Sequence, residues 1–254
     1  MGSISYPLYL VICMYIYSTE LAGLPVCINL RYPETINYFG EWMKPHDPAP
    51  DAVEIPAEEV EKWCTLWKIN DAAYGEYVIS CSYVSQYLMN FDRIIFHGAA
   101  MLWKGKAYIF TAPSGTGKTT QIKHWIELYG NEIQIINGDK PILKICDNGQ
   151  IIVYPSPWKG KEGMGNDCLC APLGGIIMLS QAKENSIDQI MPSRSAGVLM
   201  GRLYSSFQNV DDIHTGARLL ESILAVTPVW HLKNKGDAES AILTHDVILG
   251  KEPL

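Results

Sequence analysis

The 254-residue chain lacks the features that mark nucleic-acid-binding, disulfide-stabilised and low-complexity proteins. It has no run rich in lysine or arginine, and its net charge is -7, so a nucleic-acid partner is not expected. Its seven cysteines have no framework spacing, which favours a reducing compartment, and we expect a cytoplasmic protein. Cys168 and Cys170 are too close in sequence for a usual zinc half-site, so we interpret both as small apolar side chains, with a metal or redox role as the alternative.

The first 19 residues carry no charged side chain, which raises the question of a membrane segment or a secretion signal. The apolar stretch 6–17 has no basic segment before it, and its tyrosine, isoleucine and valine residues favour a strand over a spanning helix. Gly23 and Pro25 mark a turn, and 26–30 has the pattern of a returning strand. We therefore predict a buried β-hairpin and no membrane partner, with a signal segment as the alternative.

The most informative segment is a glycine-rich loop at 112–120, which reads APSGTGKTT and follows a short apolar run. Glycines at 115 and 117 adopt backbone angles closed to other residues, so successive N–H groups can turn toward an anion. Lys118 can reach the β and γ phosphates of a nucleotide, and Thr119 can place a hydroxyl on Mg²⁺. The helix expected after the loop favours negative charge at its N-terminus. The predicted nucleotide-binding residues are Ser114, Gly115, Thr116, Gly117, Lys118, Thr119 and Thr120.

The loop departs from the usual pattern at its first position, where Ala112 replaces glycine. Alanine is small, so this departure matters only if the position needs a positive φ. The alternative interpretation is a glycine-rich turn before an ordinary helix. Because a strand pattern precedes the loop and a helix pattern follows it, we predict a phosphate-binding loop with ATP and Mg²⁺ as cofactors.

The chain has two parts that differ in their pattern of apolar runs, prolines and turn residues. Residues 1–90 contain the hairpin, a proline-rich loop and a helix at 57–68, and we predict an N-terminal α/β extension with a strand at 75–82 and a short helix at 83–90. Residues 91–254 are richer in hairpins than a doubly wound domain, so we predict an α/β nucleotide-binding core with a mixed sheet. The elements predicted for the core are strands at 106–111, 133–136, 142–145, 151–154, 175–179 and 228–232, and helices at 120–129, 196–204 and 216–224.

Asp139 follows the predicted strand 133–136 and is the strongest candidate for a second functional group. A carboxylate at this place can face the phosphate loop across neighbouring strands, where it can hold Mg²⁺ or accept the proton of an incoming hydroxyl. The alternative is a turn residue, because Asn-Gly-Asp is also turn chemistry.

These residues together resemble a known superfamily. His97-Gly98, the loop 114–120 and Gly138-Asp139 are similar to the HPr kinase/phosphorylase and ATP-dependent phosphoenolpyruvate carboxykinase superfamily. The phrases Phe-His-Gly, Asn-Gly-Asp-Lys-Pro and, at 156–161, Ser-Pro-Trp-Lys-Gly-Lys resemble its small bacterial kinase-like branch, over roughly residues 95 to 180. Some members of that branch phosphorylate a serine of a lasso-peptide precursor.

The resemblance implies a mixed-sheet P-loop kinase core in which the loop holds ATP phosphates and Mg²⁺. It implies that Asp139 is a metal ligand or general base, and that Gly138 replaces the first of two neighbouring aspartates, so the usual two-carboxylate metal site is incomplete. His97 matches a histidine near the reacting phosphate, with a structural hydrogen bond as the alternative role. Because HPr kinase is a hexamer, a homo-oligomer is also implied.

A long loop at 154–167, rich in proline and glycine, follows the predicted strand 151–154. Loops on a rigid sheet often carry binding groups, and we expect Lys161 to approach the phosphates or the acceptor substrate, with a solvated basic loop as the alternative. Arg194 and Arg202 are weaker candidates for a guanidinium clamp on phosphate.

The function predicted from the sequence is an ATP-dependent kinase that transfers the γ-phosphoryl group to a hydroxyl. The acceptor is a serine of a peptide or protein, or a small molecule. Lys118, Asp139, His97 and Lys161 are the predicted catalytic residues, and Thr119 and Asp139 the metal ligands. The alternatives are a nucleotide-binding regulator with little catalysis, which Gly138 favours, and a carboxykinase-like metabolic enzyme, which the short chain disfavours.

Overall fold

The computed structural model describes residues 15–249, which form an α/β fold of two compact units. The first unit contains residues 15–19 and 25–80, and the second contains residues 20–24 and 81–249. The predicted domain division at residue 90 stays a prediction. Most of the apolar stretch 6–17 lies outside the described residues. Within residues 15–249, no helix has both the length and the apolar composition that crossing a membrane requires.

The N-terminal part of the described chain is a four-stranded sheet with three α-helices, one of them a single turn. Strands β1 (Tyr15–Leu21) and β2 (Leu24–Leu30) are neighbours in a sheet of order β3-β1-β2-β4. Ala22 and Gly23 between them both have positive φ, as a two-residue hairpin turn requires, so the predicted hairpin turn is confirmed. The remaining elements are β3 (Lys44–Pro45), β4 (Val53–Glu54), α1 (Ile36–Phe39), α2 (Ala57–Trp67) and α3 (Ala72–Met89), with 3₁₀ turns at Pro33–Thr35 and Gly40–Trp42.

The predicted strand at 75–82 is wrong, because these residues belong to the 18-residue helix α3. The helix buries residues at helical spacing, but several of them are polar, so the apolar pattern alone does not show the period. Glu76, which is 0% exposed, accepts hydrogen bonds from the backbone N–H groups of Arg31 and Tyr32 at 2.8 and 3.2 Å and from Thr35 Oγ1 at 2.6 Å. Ser80 is buried one turn later.

The second unit is built on a nine-stranded mixed sheet of order β5-β9-β10-β11-β7-β6-β8, in which β13 also pairs with β11 and β12. Strands β7 and β13 run parallel to β11, and the other pairs are antiparallel. The predicted α/β class and mixed sheet are therefore confirmed. The strands are β5 (Arg93–Ile95), β6 (Ala99–Trp103), β7 (Lys106–Thr111), β8 (Gln134–Asn137), β9 (Ile142–Ile145), β10 (Ile151–Tyr154), β11 (Ala171–Gln181), β12 (Ser186–Ile190) and β13 (Val229–Asn234).

Helices cover both faces of this sheet: α4 (Lys118–Tyr129), α5 (Pro192–Met200), α6 (Val210–Val226) and α7 (Ala238–Leu249). Adjacent strand residues point to opposite faces, and accordingly Ile109 and Phe110 of β7 belong to different apolar clusters. Ile109 lies in a cluster with Leu220 of α6, and Phe110 in one with Trp125 of α4. Strand β7 lies between β6 and β11, so the loop that follows it starts from a buried part of the sheet.

The structure of this unit differs from the expectations in three respects. The helix predicted at 196–204 is α5 at Pro192–Met200, because proline suits the first turn of a helix, so Arg202 lies beyond its end. Strand β12 and helix α7 were not predicted, since β12 carries exposed polar residues and α7 buries the polar residues Ser240 and Thr244. Cys168 and Cys170 are exposed and do not serve as small core residues.

Candidate functional site

The glycine-rich loop joins the end of β7 to the start of α4, as the sequence predicts. Gly115 and Gly117 have φ values of 78° and 109°, which side chains rarely adopt, and a Cβ at either position would meet no atom within 4 Å. The backbone angles, rather than crowding, therefore require glycine here. Ala112 is buried and does not have a positive φ, so alanine fits this position without strain.

Lys118, the first residue of α4, turns its side chain back toward the loop. Its Nζ donates to the carbonyl oxygen of Ala112 at 3.1 Å and lies 3.4 Å from Nε2 of His97. Burial lowers the pKa of Lys118, while the nearby carboxylate of Asp139 opposes this effect and Arg202 adds to it. Thr119 is half-buried, whereas Ser114, Gly115 and Thr120 are exposed. The loop thus presents open backbone around one partly desolvated ammonium group.

His97 lies between β5 and β6, and backbone contacts hold it beside Lys118 and Asp139. Its N–H donates to the carbonyl of Arg202 at 2.8 Å, and its carbonyl accepts from Oγ1 of Thr111 at 2.7 Å. The next N–H, that of Gly98, donates to the carbonyl of Asp139 at 2.9 Å. The side chains meet as well, because Nε2 of His97 lies 3.4 Å from Oδ1 of Asp139.

Asp139 lies in the turn after β8, and Asn137 fixes that turn. The Oδ1 of Asn137 accepts from the backbone N–H groups of Asp139 and Lys140 at 2.9 and 2.7 Å, and its Nδ2 donates to the carbonyl of Ser156 at 3.0 Å. The Oδ2 of Asp139 forms an ion pair with Nζ of Lys140. Burial alone would raise the pKa of Asp139, but the hydrogen bond from His97 and the charge of Lys140 outweigh burial and hold the pKa at about 2.

The segment between β10 and β11 is irregular, as predicted, and packs against the turn that carries Asp139. The N–H of Gly138 donates to the carbonyl of Met164 at 2.9 Å. A Cβ on Gly160 would lie 2.9 Å from the Cβ of Asp139, so this glycine permits a close approach of the loop backbone. Trp158, which is 2% exposed, is buried within the same segment. The loop is therefore packed onto the site.

The remaining predicted basic residues have different surroundings. Lys161 is exposed, and among the described residues no ion pair or hydrogen bond fixes its side chain, so its predicted approach to the phosphates stays a prediction. Arg194 is exposed on α5. Arg202 is half-buried and near enough to influence the pKa of Lys118. Sequence reasoning assigned no role to Lys140; the available signals were its position directly after Asp139 and its place in the phrase Asn-Gly-Asp-Lys-Pro.

Two kinds of comparison find nothing: no protein-family model matches the chain, and no curated protein does. Solved structures do match. One is the Hpr(Ser) kinase/phosphatase from Coxiella burnetii, with 12% sequence identity and a TM-score of 0.34, covering 62% of this chain and 99% of that chain. A likeness at this identity and TM-score does not establish a shared activity or substrate.

Proposed function

We propose that the chain is an ATP-dependent kinase that transfers a γ-phosphoryl group to a hydroxyl. One observation carries this proposal. At the end of the glycine-rich loop, Nζ of Lys118 lies 3.4 Å from His97 Nε2, which lies 3.4 Å from Asp139 Oδ1. An ammonium that can bind phosphate and a carboxylate that can orient a hydroxyl are groups that phosphoryl transfer uses, and His97 links the two here.

The charges around this cluster favour a polyphosphate ligand. Lys118 and Arg202 bring two positive charges to the site, while the carboxylate of Asp139 is already paired with Lys140. An excess of positive charge beside a glycine-rich loop at a helix N-terminus stabilises an anion. Burial of Lys118 strengthens its interaction with phosphate, because fewer water molecules compete.

The donor atoms present suit Mg²⁺ as the cofactor. Asp139 and Thr119 would hold the ion through hard oxygen atoms, and Mg²⁺ usually takes its remaining ligands from substrate phosphates and water. The part of the chain that the structure describes has no cluster of three or more His, Cys, Asp or Glu side chains, which fits an ion held mainly by the nucleotide. Bound Mg²⁺ would supply neutralisation of charge on the β and γ phosphates.

The chain's own residues would have distinct roles. The loop backbone and Lys118 bind and orient the phosphates. Asp139, ionised at neutral pH because its pKa is about 2, orients the acceptor hydroxyl by accepting its hydrogen bond. Such a weak base suffices, because catalysis of phosphoryl transfer depends mostly on positioning and charge stabilisation. His97 keeps Oδ1 of Asp139 in place. Lys161, exposed on the segment between β10 and β11, is the proposed contact to the acceptor. The acceptor is a serine of a peptide or protein, or a small molecule.

Calorimetry with ATP and Mg²⁺ tests the proposal. We expect Lys118→Ala to weaken ATP binding by about 10- to 100-fold, because it removes a charge-assisted contact to phosphate. Lys123→Ala is the matched control, since Lys123 is an exposed lysine on the same helix. Wild type that shows no heat of association with ATP would contradict the proposal.

A second candidate function is a nucleotide-binding regulator without efficient catalysis. The specific observation in its favour is that Gly138 carries no carboxylate and that Lys140 already pairs with Oδ2 of Asp139. ADP release with hydroxyl acceptors, compared between wild type and Asp139→Asn, separates the two functions. Turnover that Asp139→Asn abolishes supports the kinase, whereas ATP binding with equal background hydrolysis in both proteins supports the regulator.

A further inference from the structure

Lys140 is a largely buried cation to which the mechanism above gives no role. Its side chain is 16% exposed, and its Nζ pairs with Oδ2 of Asp139. On another side the ammonium lies over the ring of Tyr204, 5.0 Å from the ring centroid. A cation held between a carboxylate and an aromatic face is fixed by charge and by the ring quadrupole together.

The backbone of Lys140 is anchored as firmly as its side chain. Its N–H donates to Oδ1 of Asn137 at 2.7 Å, and its carbonyl accepts from Oγ of Ser156 at 2.6 Å. The buried Asn137 also bonds Ser156, so the turn after β8 and the start of the following loop hold the same residue. Lys140 is therefore preorganised at the carboxylate rather than free to swing into solvent.

The neighbouring backbone leaves little room for a second carboxylate. A Cβ added to Gly138 would lie 3.1 Å from the carbonyl oxygen of Met164, 3.3 Å from its Cβ and 3.4 Å from the carbonyl oxygen of Lys159. A carboxylate there would approach two carbonyl oxygens, which would repel it. The site thus has one carboxylate with an ammonium on one oxygen, while its other oxygen faces His97.

We propose that Lys140 is a positioning residue that takes the place of a second cation on Asp139, so that the site works with a single divalent metal ion. This inference rests on the proposed kinase function and specifies which cations neutralise the carboxylate of Asp139 in the same site. The ammonium neutralises Oδ2 and holds the carboxylate so that Oδ1 is directed to the side where His97 and Lys118 lie. Any divalent ion at Oδ2 has to displace this ammonium.

Binding of Mn²⁺, followed by electron paramagnetic resonance without nucleotide, tests the inference independently of activity. Lys140→Met frees Oδ2 and removes a like charge, so we expect it to raise Mn²⁺ affinity by about 10-fold or more. Lys140→Arg is expected to match wild type, and Lys140→Met combined with Asp139→Asn to lose the gain. The matched control is Lys104→Met, a lysine over the ring of Trp103 beyond the opposite end of β7.

Kinetics provide a second measurement. Because Lys140 acts through Asp139, we expect Lys140→Met to lower kcat for ATP turnover by about 100-fold and to change KM for ATP by less than about 3-fold, with activity restored by Lys140→Arg. Tyr204→Leu removes the aromatic ring beneath Lys140 and should also raise the Mn²⁺ affinity, whereas Tyr204→Phe keeps the ring and should not. These two variants test the inference if Lys140→Met does not fold.

The inference is overturned if the Mn²⁺ affinity of Lys140→Met equals that of wild type. If Lys140→Met does not fold, an unchanged Mn²⁺ affinity in Tyr204→Leu overturns it instead. A KM effect as large as the kcat effect would also overturn it. These results are distinguishable from failure of the proposed function, which is shown by wild type that does not bind ATP at all.

Discussion

Replacing Asp139 by Asn tests how strongly the site's charges are coupled to the stability of the fold. The pKa of Asp139 is held at about 2 against 3.8 for a free side chain, and one pKa unit corresponds to about 1.4 kcal/mol. The ionised carboxylate therefore contributes about 2 kcal/mol to the free energy of unfolding at neutral pH. The substitution also leaves Lys140, whose side chain is 16% exposed, without its partner. We expect a total loss of about 2–4 kcal/mol.

The sign of the pH dependence follows from the lowered pKa. The stabilisation from Asp139 is fully present above about pH 4 and is lost as the pH falls toward 2, because the unfolded chain then binds the proton more readily. Urea unfolding at pH 7 and pH 3 should therefore show a smaller difference between wild type and Asp139→Asn at pH 3. Asp167→Asn is the control, since its ion pair with Lys159 is 45% exposed on the aspartate side and should contribute less than about 1 kcal/mol.

The double variant Asp139→Asn with Lys140→Met decides between a coupled pair and two independent side chains. Removing both charges leaves no buried unpaired ion, so we expect the double variant to be more stable than Asp139→Asn alone. The reasoning is refuted if the double variant loses the sum of the two single losses. It is also refuted if Asp139→Asn is no less stable at pH 7 than Asp167→Asn.

Three further substitutions have expected outcomes in thermal or urea denaturation. Gly138→Ala should cost about 1–2 kcal/mol because its Cβ crowds Met164, and stability equal to wild type would show that the loop yields easily. Gly117→Ala should lower the free energy of unfolding by about 1–3 kcal/mol, because the φ of Gly117 is 109°. Gly197→Ala is the control: Gly197 lies in open space on α5, so its replacement should be neutral or stabilising. Equal effects of the two substitutions would exclude backbone strain as the cause. Glu76→Gln should cost about 1–3 kcal/mol, since a neutral amide replaces a buried carboxylate that accepts three hydrogen bonds; a loss below about 0.5 kcal/mol would contradict this.

The glycine-rich loop and its flanking elements were predictable because their sequence signals are local. The 24 consecutive residues from Lys106 to Tyr129 contain the strand, the two glycines, the lysine and the helix. Each of these features follows from interactions between residues that are close in sequence. The strands at 106–111, 142–145 and 151–154 were predicted with the bounds that the structure shows, since turn residues flank each apolar run. Helix α3 was missed because its buried face includes Glu76 and Ser80, whose burial depends on partners that the local sequence does not show.

The surroundings of Lys140 were unpredictable for the same physical reason. Its burial depends on Tyr204, far along the chain, and on a turn that Asn137 ties to Ser156. From the sequence alone, Gly138 indicates only that a carboxylate is absent at a position where the superfamily that the chain resembles has one.

The structure gives that absence a cause, because the carbonyl oxygens of Met164 and Lys159 lie where a side chain on Gly138 would extend. With that space closed, a second carboxylate could be restored only by moving the loop between β10 and β11, whose backbone at Gly160 also touches Asp139. The loop and the glycine therefore have to change together, and a single substitution at Gly138 is not expected to create a two-carboxylate metal site. Increased Mn²⁺ affinity in folded Gly138→Asp, measured without nucleotide, would show that this coupling does not exist.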